Sequence, residues 1–225
     1  MPGPPETLPE TLAPTPRSTL HRKRDRGHHE WEAVAAILDE GLLCHIGFPG
    51  DRGTFVVPMA YARVDRDLYL HGAAANRTLR ALADGAEACV TVTLLDGLVL
   101  ARSAFHHSMN YRSAMLFGAA VRVTDPEEQL RASAALLDHM APGRSREARA
   151  PTPKELRATL IVRFPVDEGS AKIRTGSPVE EPEDLDLPIW AGVIPLHLAA
   201  GAPVADAGLA AGLAPPSYLA EIARP

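Results

Sequence analysis

The chain lacks several things that common architectures require. Its 225 residues include two cysteines, Cys44 and Cys89, far apart and without metal-type spacing. A disulfide framework and a cysteine zinc site are therefore unsupported, and a reduced, cytoplasmic setting is the expectation. No run of about 18 apolar residues occurs, so no conventional membrane-spanning helix, and no membrane partner, is predicted. The opening MPGPPETLPETLAPTP has no cationic start followed by an apolar segment, so no secretory leader is expected. A cationic excess is missing too: the formal net charge of -5 argues against a general nucleic-acid binder. Internal repeats, a phosphate-binding P-loop, a dinucleotide glycine fingerprint and a G-x-S-x-G nucleophile elbow are all absent. Nucleoside triphosphate chemistry and serine-type hydrolysis are thus not indicated.

What is present reads as one β-rich domain with a hydrophobic fraction of 46%, enough for a core. Residues 1–26 form an N-terminal arm. Its first 16 positions are Pro-rich and polar and are predicted to be disordered. RSTLHRKRDR then concentrates Arg17, Arg22, Lys23, Arg24 and Arg26, either a solvated arm, the preferred reading, or a strip that docks on a phosphate or an acidic surface. The main domain spans 27–198, and an Ala/Pro-rich tail covers 199–225. Trp31, Val34, Ile37 and Leu38 recur at helical spacing up to Gly41. The period then shortens to two in LLCHIGF, TFVVPMAYARV, LYLHG, ACVTVTLL, LVLARSAF and YRSAMLFGAAVRV, with a turn expected at Asp96–Gly97. Asp125, Pro126 and Glu128 open a second long helix. The result is a mainly β fold of about six antiparallel strands with helices at corners and ends. A closed or split barrel fits better than a βαβ fold, because alternating strand–helix units are missing. Pro58 requires an edge or a bulge in its strand.

Two stretches carry the candidate chemistry. In LYLHGAAANRTLRAL a strand ends at His71 and a helix starts near Asn76, so free backbone N–H groups with Arg77 and Arg80 could form an anion site, or simply an exposed corner. In FHHSMNYRSAMLFG, Tyr111 and Ser113 share a face with Met115 and Phe117, while Arg112 points the other way. That face is either a ligand groove or a half-buried core position for Tyr111. The pairs His28/His29 and His106/His107 do not suggest a metal, since adjacent strand residues point to opposite faces.

Taken in order, VVPMAY, LYLHGAAANRTLRAL, HHSMNYRSAMLFG and WAGVIPL resemble the pyridoxamine 5′-phosphate oxidase-like flavoproteins. The similarity covers about residues 17–198 and is greatest to the flavin-nucleotide-binding branch that includes the nitroimidazole-resistance reductases. The resemblance implies an FMN-binding split barrel, a homodimer with flavin at its interface, and redox chemistry on a small planar, nitroaromatic or heteroaromatic substrate. It implies that Arg77 pairs with the FMN phosphate and that Tyr111 and Ser113 line the phosphate and ribityl region. Pro58 and Met59 would border the isoalloxazine ring through their backbone, and Trp190 would cover the site, from the other subunit. Lys172 and Arg174 would contact cofactor or substrate, and His71, beside the flavin, is the catalytic candidate. The Arg-rich terminal signature of the true pyridoxamine phosphate oxidases is absent, which argues against vitamin B6 as substrate. Alternatives on the same fold are a non-catalytic flavin- or haem-binding module, with His106 or His107 assisting haem, and a reductase using deazaflavin F420.

Overall fold

The structure, a computed structural model, describes residues 9–222; the first eight positions of the predicted disordered tail lie outside the described residues. The elements in chain order are β1 (Gly27–His28), α1 (Trp31–Glu40), β2 (Leu43–Gly50), β3 (Gly53–Val64), β4 (Asp67–Ala73), α2 (Arg77–Ala83) and β5 (Glu87–Leu100). They continue with β6 (Ser108–Ala119), β7 (Val121–Arg122), α3 (Pro126–Met140), α4 (Pro153–Ala158), β8 (Thr159–Pro165), β9 (Glu168–Arg174) and β10 (Gly192–Pro195). All pairings are antiparallel in the order β1-β9-β6-β5-β2-β3-β4-β8-β7, with β10 added to β5.

Alternation along the strands determines which face turns inward. Cys44, Ile46 and Phe48 of β2, Ala88, Val90 and Val92 of β5, and Ala114 and Leu116 of β6 are buried in one core. Val34, Ile37 and Leu38 of α1 and Leu79 and Leu82 of α2 close it from the ends. The sheet curls round this core as a split barrel. Tyr61 is wholly buried there, and its hydroxyl donates to Leu38 O at 2.6 Å, so the one polar atom that β3 carries inward is satisfied. Pro58 meets the requirement read from the sequence: β3 pairs with β4 only from Tyr61 onward, so the ring sits where that ladder has ended.

Three features differ from the sequence reading. The described residues form ten strands rather than about six, because short pieces such as β1, β7 and β10 lack their own periodic signal. Asp96–Gly97 is not a turn but a bulge inside the continuous β5, where the register with β6 shifts between Leu95 and Gly97. A Cβ on Gly97 would lie 3.0 Å from Ile194 O, so the glycine serves the close approach of β10 rather than a chain reversal. Finally, residues 9–16, expected to be disordered, and 17–26, expected as a basic solvated arm, are packed on the barrel. Leu12 is buried, its N–H donates to His29 O at 2.8 Å, and Arg17 bridges Glu168 at 2.6 Å and Glu87 at 3.2 Å. One large apolar side chain and a few pairings suffice to overcome a composition that by itself favours disorder. At the other terminus, residues 199–222 run over the surface, with Tyr218 donating to Glu147 at 2.8 Å.

Candidate functional site

The outward face of β3, β2, β5, β6 and β9 gathers most of the predicted site. Its cross-strand register runs Pro58–His45–Thr91–Met115–Ser170. One step along, Ser113 lies between Thr93 and Lys172, and the next step places Tyr111 between Leu95 and Arg174. Pro58, Tyr111, Ser113, Lys172 and Arg174 therefore share a face by period two. Val56 (65% exposed), Leu43, Leu95 and Met115 leave apolar surface on the same side. Met59 is turned inward, packed against the core, and accepts the Cys44 thiol at its carbonyl, 3.3 Å away. Only its backbone borders the outer face. Burial pushes the Cys44 thiol up to about 12, which keeps it inert, and both cysteines are free.

Arg174 is 5% exposed. Its Nη1 donates to Asn110 Oδ1 and to Gly176 O at 3.3 Å, and its Nη2 to Ser177 O at 3.2 Å, while Nε has no acceptor. Desolvation, and then the nearby Arg26 cation, hold its pKa below the usual guanidinium value. Ser113 donates to Lys172 O at 3.4 Å, and the Lys172 ammonium has no partner among the described residues. Arg112, predicted to point away from Tyr111, does so: it binds Glu40 and Asp96, the latter at 2.7 Å, and ties α1 to β5.

A second group stands at the end of β4. His71 pairs with Ile161 of β8 and makes no hydrogen bond among the described residues; desolvation lowers its pKa, so the imidazole is neutral at pH 7. A Cβ on the neighbouring Gly72 would meet Leu79 at 2.9 Å, so the glycine lets α2 pack against the strand. Asn76 caps α2, accepting from Leu79 N at 3.1 Å. Arg80 is committed to the turn through Nε to Ala74 O at 2.8 Å, which leaves Arg77 alone of the two predicted anion ligands. Arg77 is exposed, lies 4.1 Å over the Phe55 ring, and makes no hydrogen bond or ion pair among the described residues. It lines a cleft of about 390 Å³ between the β2–β3 hairpin and α2.

The structure thus gathers Pro58, Tyr111, Ser113, Lys172 and Arg174 on one face, and holds His71 and Arg77 apart from the β6–β9 group by the intervening strands. Trp190, 64% exposed, lies over Gly192 just before β10. His106 pairs with Glu181 at 3.2 Å, and His107 Nδ1 lies 3.0 Å from Ser103 O. Sequence reasoning missed Asn110, buried beside Arg174, and the approach of Arg26 to it, because β1–β9 pairing joins positions too distant to be linked by any local pattern. The basic strip was visible; its docking partners were not.

Comparison with known proteins adds the context. The family model for pyridoxamine 5′-phosphate oxidase matches residues 30–173. The flavocytochrome Anf3 from Azotobacter vinelandii is 34% identical, with a TM-score of 0.87, covering 93% of this chain and 98% of its own. The FAD and haem binding protein from Mycobacterium smegmatis is 37% identical, with a TM-score of 0.84, covering 88% and 98%. A chain from Bacteroides thetaiotaomicron provisionally described as a 5-nitroimidazole antibiotic resistance protein shares the fold at 23% identity and a TM-score of 0.56, covering 65% and 86%. No curated protein gives a significant match.

Proposed function

Because the chain belongs to the pyridoxamine 5′-phosphate oxidase family, we propose that it is a flavin-dependent oxidoreductase, acting as a homodimer on a small planar, nitroaromatic or heteroaromatic substrate. The observation that carries this reading is the outer sheet face. It combines exposed apolar side chains suited to a ring with polar groups suited to a phosphorylated tail. A monomer would leave that face in water, and a two-fold axis would set the His71–Arg77 group of one copy against the β6–β9 group of its partner.

FMN fits the donor set. Arg77, with its N–H groups uncommitted, would hold the phosphate. Tyr111 and Ser113 would serve the ribityl chain, the backbone of Pro58 and Met59 would border the ring, and Trp190 would exclude water. When bound, the flavin would supply the hydride or electron transfer. The chain's own contribution to proton handling would be His71, whose neutral imidazole can accept a proton at one nitrogen. Replacing Arg77 by Ala is expected to weaken FMN binding roughly tenfold by fluorescence titration, while light scattering gives the mass of a dimer. Equal FMN affinity in the two proteins, or a monomer at micromolar concentration, would reject the assignment.

A second reading is favoured by the two relatives at 34% and 37% identity, both described by their haem as well as their flavin. In this reading the protein takes up haem beside flavin and passes electrons between them without a substrate of its own. The visible spectrum of the purified protein separates the cases: a Soret band supports the second, and flavin bands alone, with turnover of an acceptor, support the first.

A further inference from the structure

Among the described residues, Arg174 is a buried cation without an anion. The half-buried guanidinium groups of Arg63, Arg102, Arg112 and Arg163 each face a carboxylate. Arg174 is more buried than any of these, yet its acceptors are one amide oxygen and two backbone carbonyls, and Nε has none. Removing an ionised group from water is costly unless a counter-charge offsets it, and neutral dipoles do so only in part. The neighbouring charges make the imbalance worse. Arg26 acts on Arg174 as a like charge, and Lys172, two residues earlier on the same face of β9, has no partner among the described residues. Tyr111 and Ser113, opposite these two on β6, add hydroxyls.

We propose that Arg174, with Arg26 and Lys172, forms an oxyanion site that takes a phosphate group. The cleft that Arg77 lines contains no residue of β1, β6 or β9, so this is not the tail phosphate that Arg77 would hold in the same copy. The phosphate belongs either to a flavin seated mainly on the partner copy or to a phosphorylated second reactant. A planar guanidinium suits such a group because it presents parallel donors to two oxygens. The site stands whether or not the protein carries a flavin.

The test uses flavin-free full-length protein, inorganic phosphate as the probe, and chloride at matched ionic strength as the control. Phosphate is expected to raise the melting temperature saturably in the parent. Arg174→Gln should weaken that response at least about tenfold, and Arg26→Gln, at the half-buried end of the short 3-10 helix before β1, a few-fold. No phosphate effect beyond chloride in the parent, or an undiminished effect in Arg174→Gln, would overturn the site. Should Arg174→Gln not fold, an undiminished effect in Arg26→Gln does so instead. Comparing FMN with riboflavin in Arg174→Gln then identifies the source. A lost preference for FMN assigns the phosphate to the flavin tail, and a retained preference assigns it to another phosphorylated ligand; both keep the site.

Discussion

Arg112 and Arg174 occupy neighbouring strands, one register step apart, and have opposite surroundings. Arg112 sits at the α1–β5–β6 junction between Glu40 and Asp96, with two carboxylates for one guanidinium. Arg174, on the outer face of β9 opposite Tyr111 of β6, has neutral acceptors and a cation nearby. The first arrangement is complete in itself and fastens a helix to the sheet. The second is complete only when something negative arrives. Within one barrel, then, counting counter-charges separates a guanidinium committed to the fold from one left open to a ligand.

The comparison breaks most visibly under methionine. Arg112→Met removes the cation shared by two carboxylates and is expected to cost about 2–3 kcal/mol of stability in urea unfolding. Arg174→Met exchanges an uncompensated buried charge for an apolar chain and should stay within about 1 kcal/mol of the parent. Equal losses would mean that Arg174 is a clamp on the 175–177 segment and that the contrast is false.

A smaller effect concerns Arg17, another fully paired cation, which lies 4.9 Å over Phe117 as well as on Glu168. Hydrogen bonds from Arg17, and then Thr15, hold the Glu168 carboxyl below its ordinary value. A carboxylate so depressed stabilises fully above the usual carboxylate range and loses that contribution as pH falls through its folded value. The protection factor of the Leu12 amide, its exchange rate relative to that of an unfolded amide at the same pH, should therefore fall on acidification, and Arg17→Ala should remove most of that pH dependence. An amide equally protected at low and neutral pH would detach the arm from this pair.

The smallest effect belongs to His71. Desolvation lowers its pKa, so the unfolded chain binds more protons in the window just below 6.5. Its contribution is complete above that value and is lost as pH falls through it. His71→Gln should flatten the melting temperature between about pH 5 and 7 by a slight but measurable amount, because the side chain is only partly desolvated. An unchanged slope would indicate an imidazole that titrates as it does in water.

Much of this was legible in the chain. The alternation in β2, β3, β5 and β6 specified the inward faces, Asn76 and Asp125 capped the helices at the expected positions, and Pro58 demanded the gap in the ladder that it occupies. The Asp96–Gly97 pair misled, because the same dipeptide chemistry that suits a turn also suits a bulge, and the Ile194 carbonyl that requires the glycine is remote in sequence.

By itself the sequence determined the period of each strand, and so which residues share a face, since side-chain direction follows from local backbone geometry alone. It also determined the cluster of cations in 17–26 and the motif order that carries the family resemblance. Only the tertiary structure decided which charges cancel. That Arg112 meets Glu40, that Arg17 meets Glu168, and that Arg174 meets no acid among the described residues depend on contacts between distant segments. Coulomb energy depends on distance in space, and folding, not sequence separation, sets that distance.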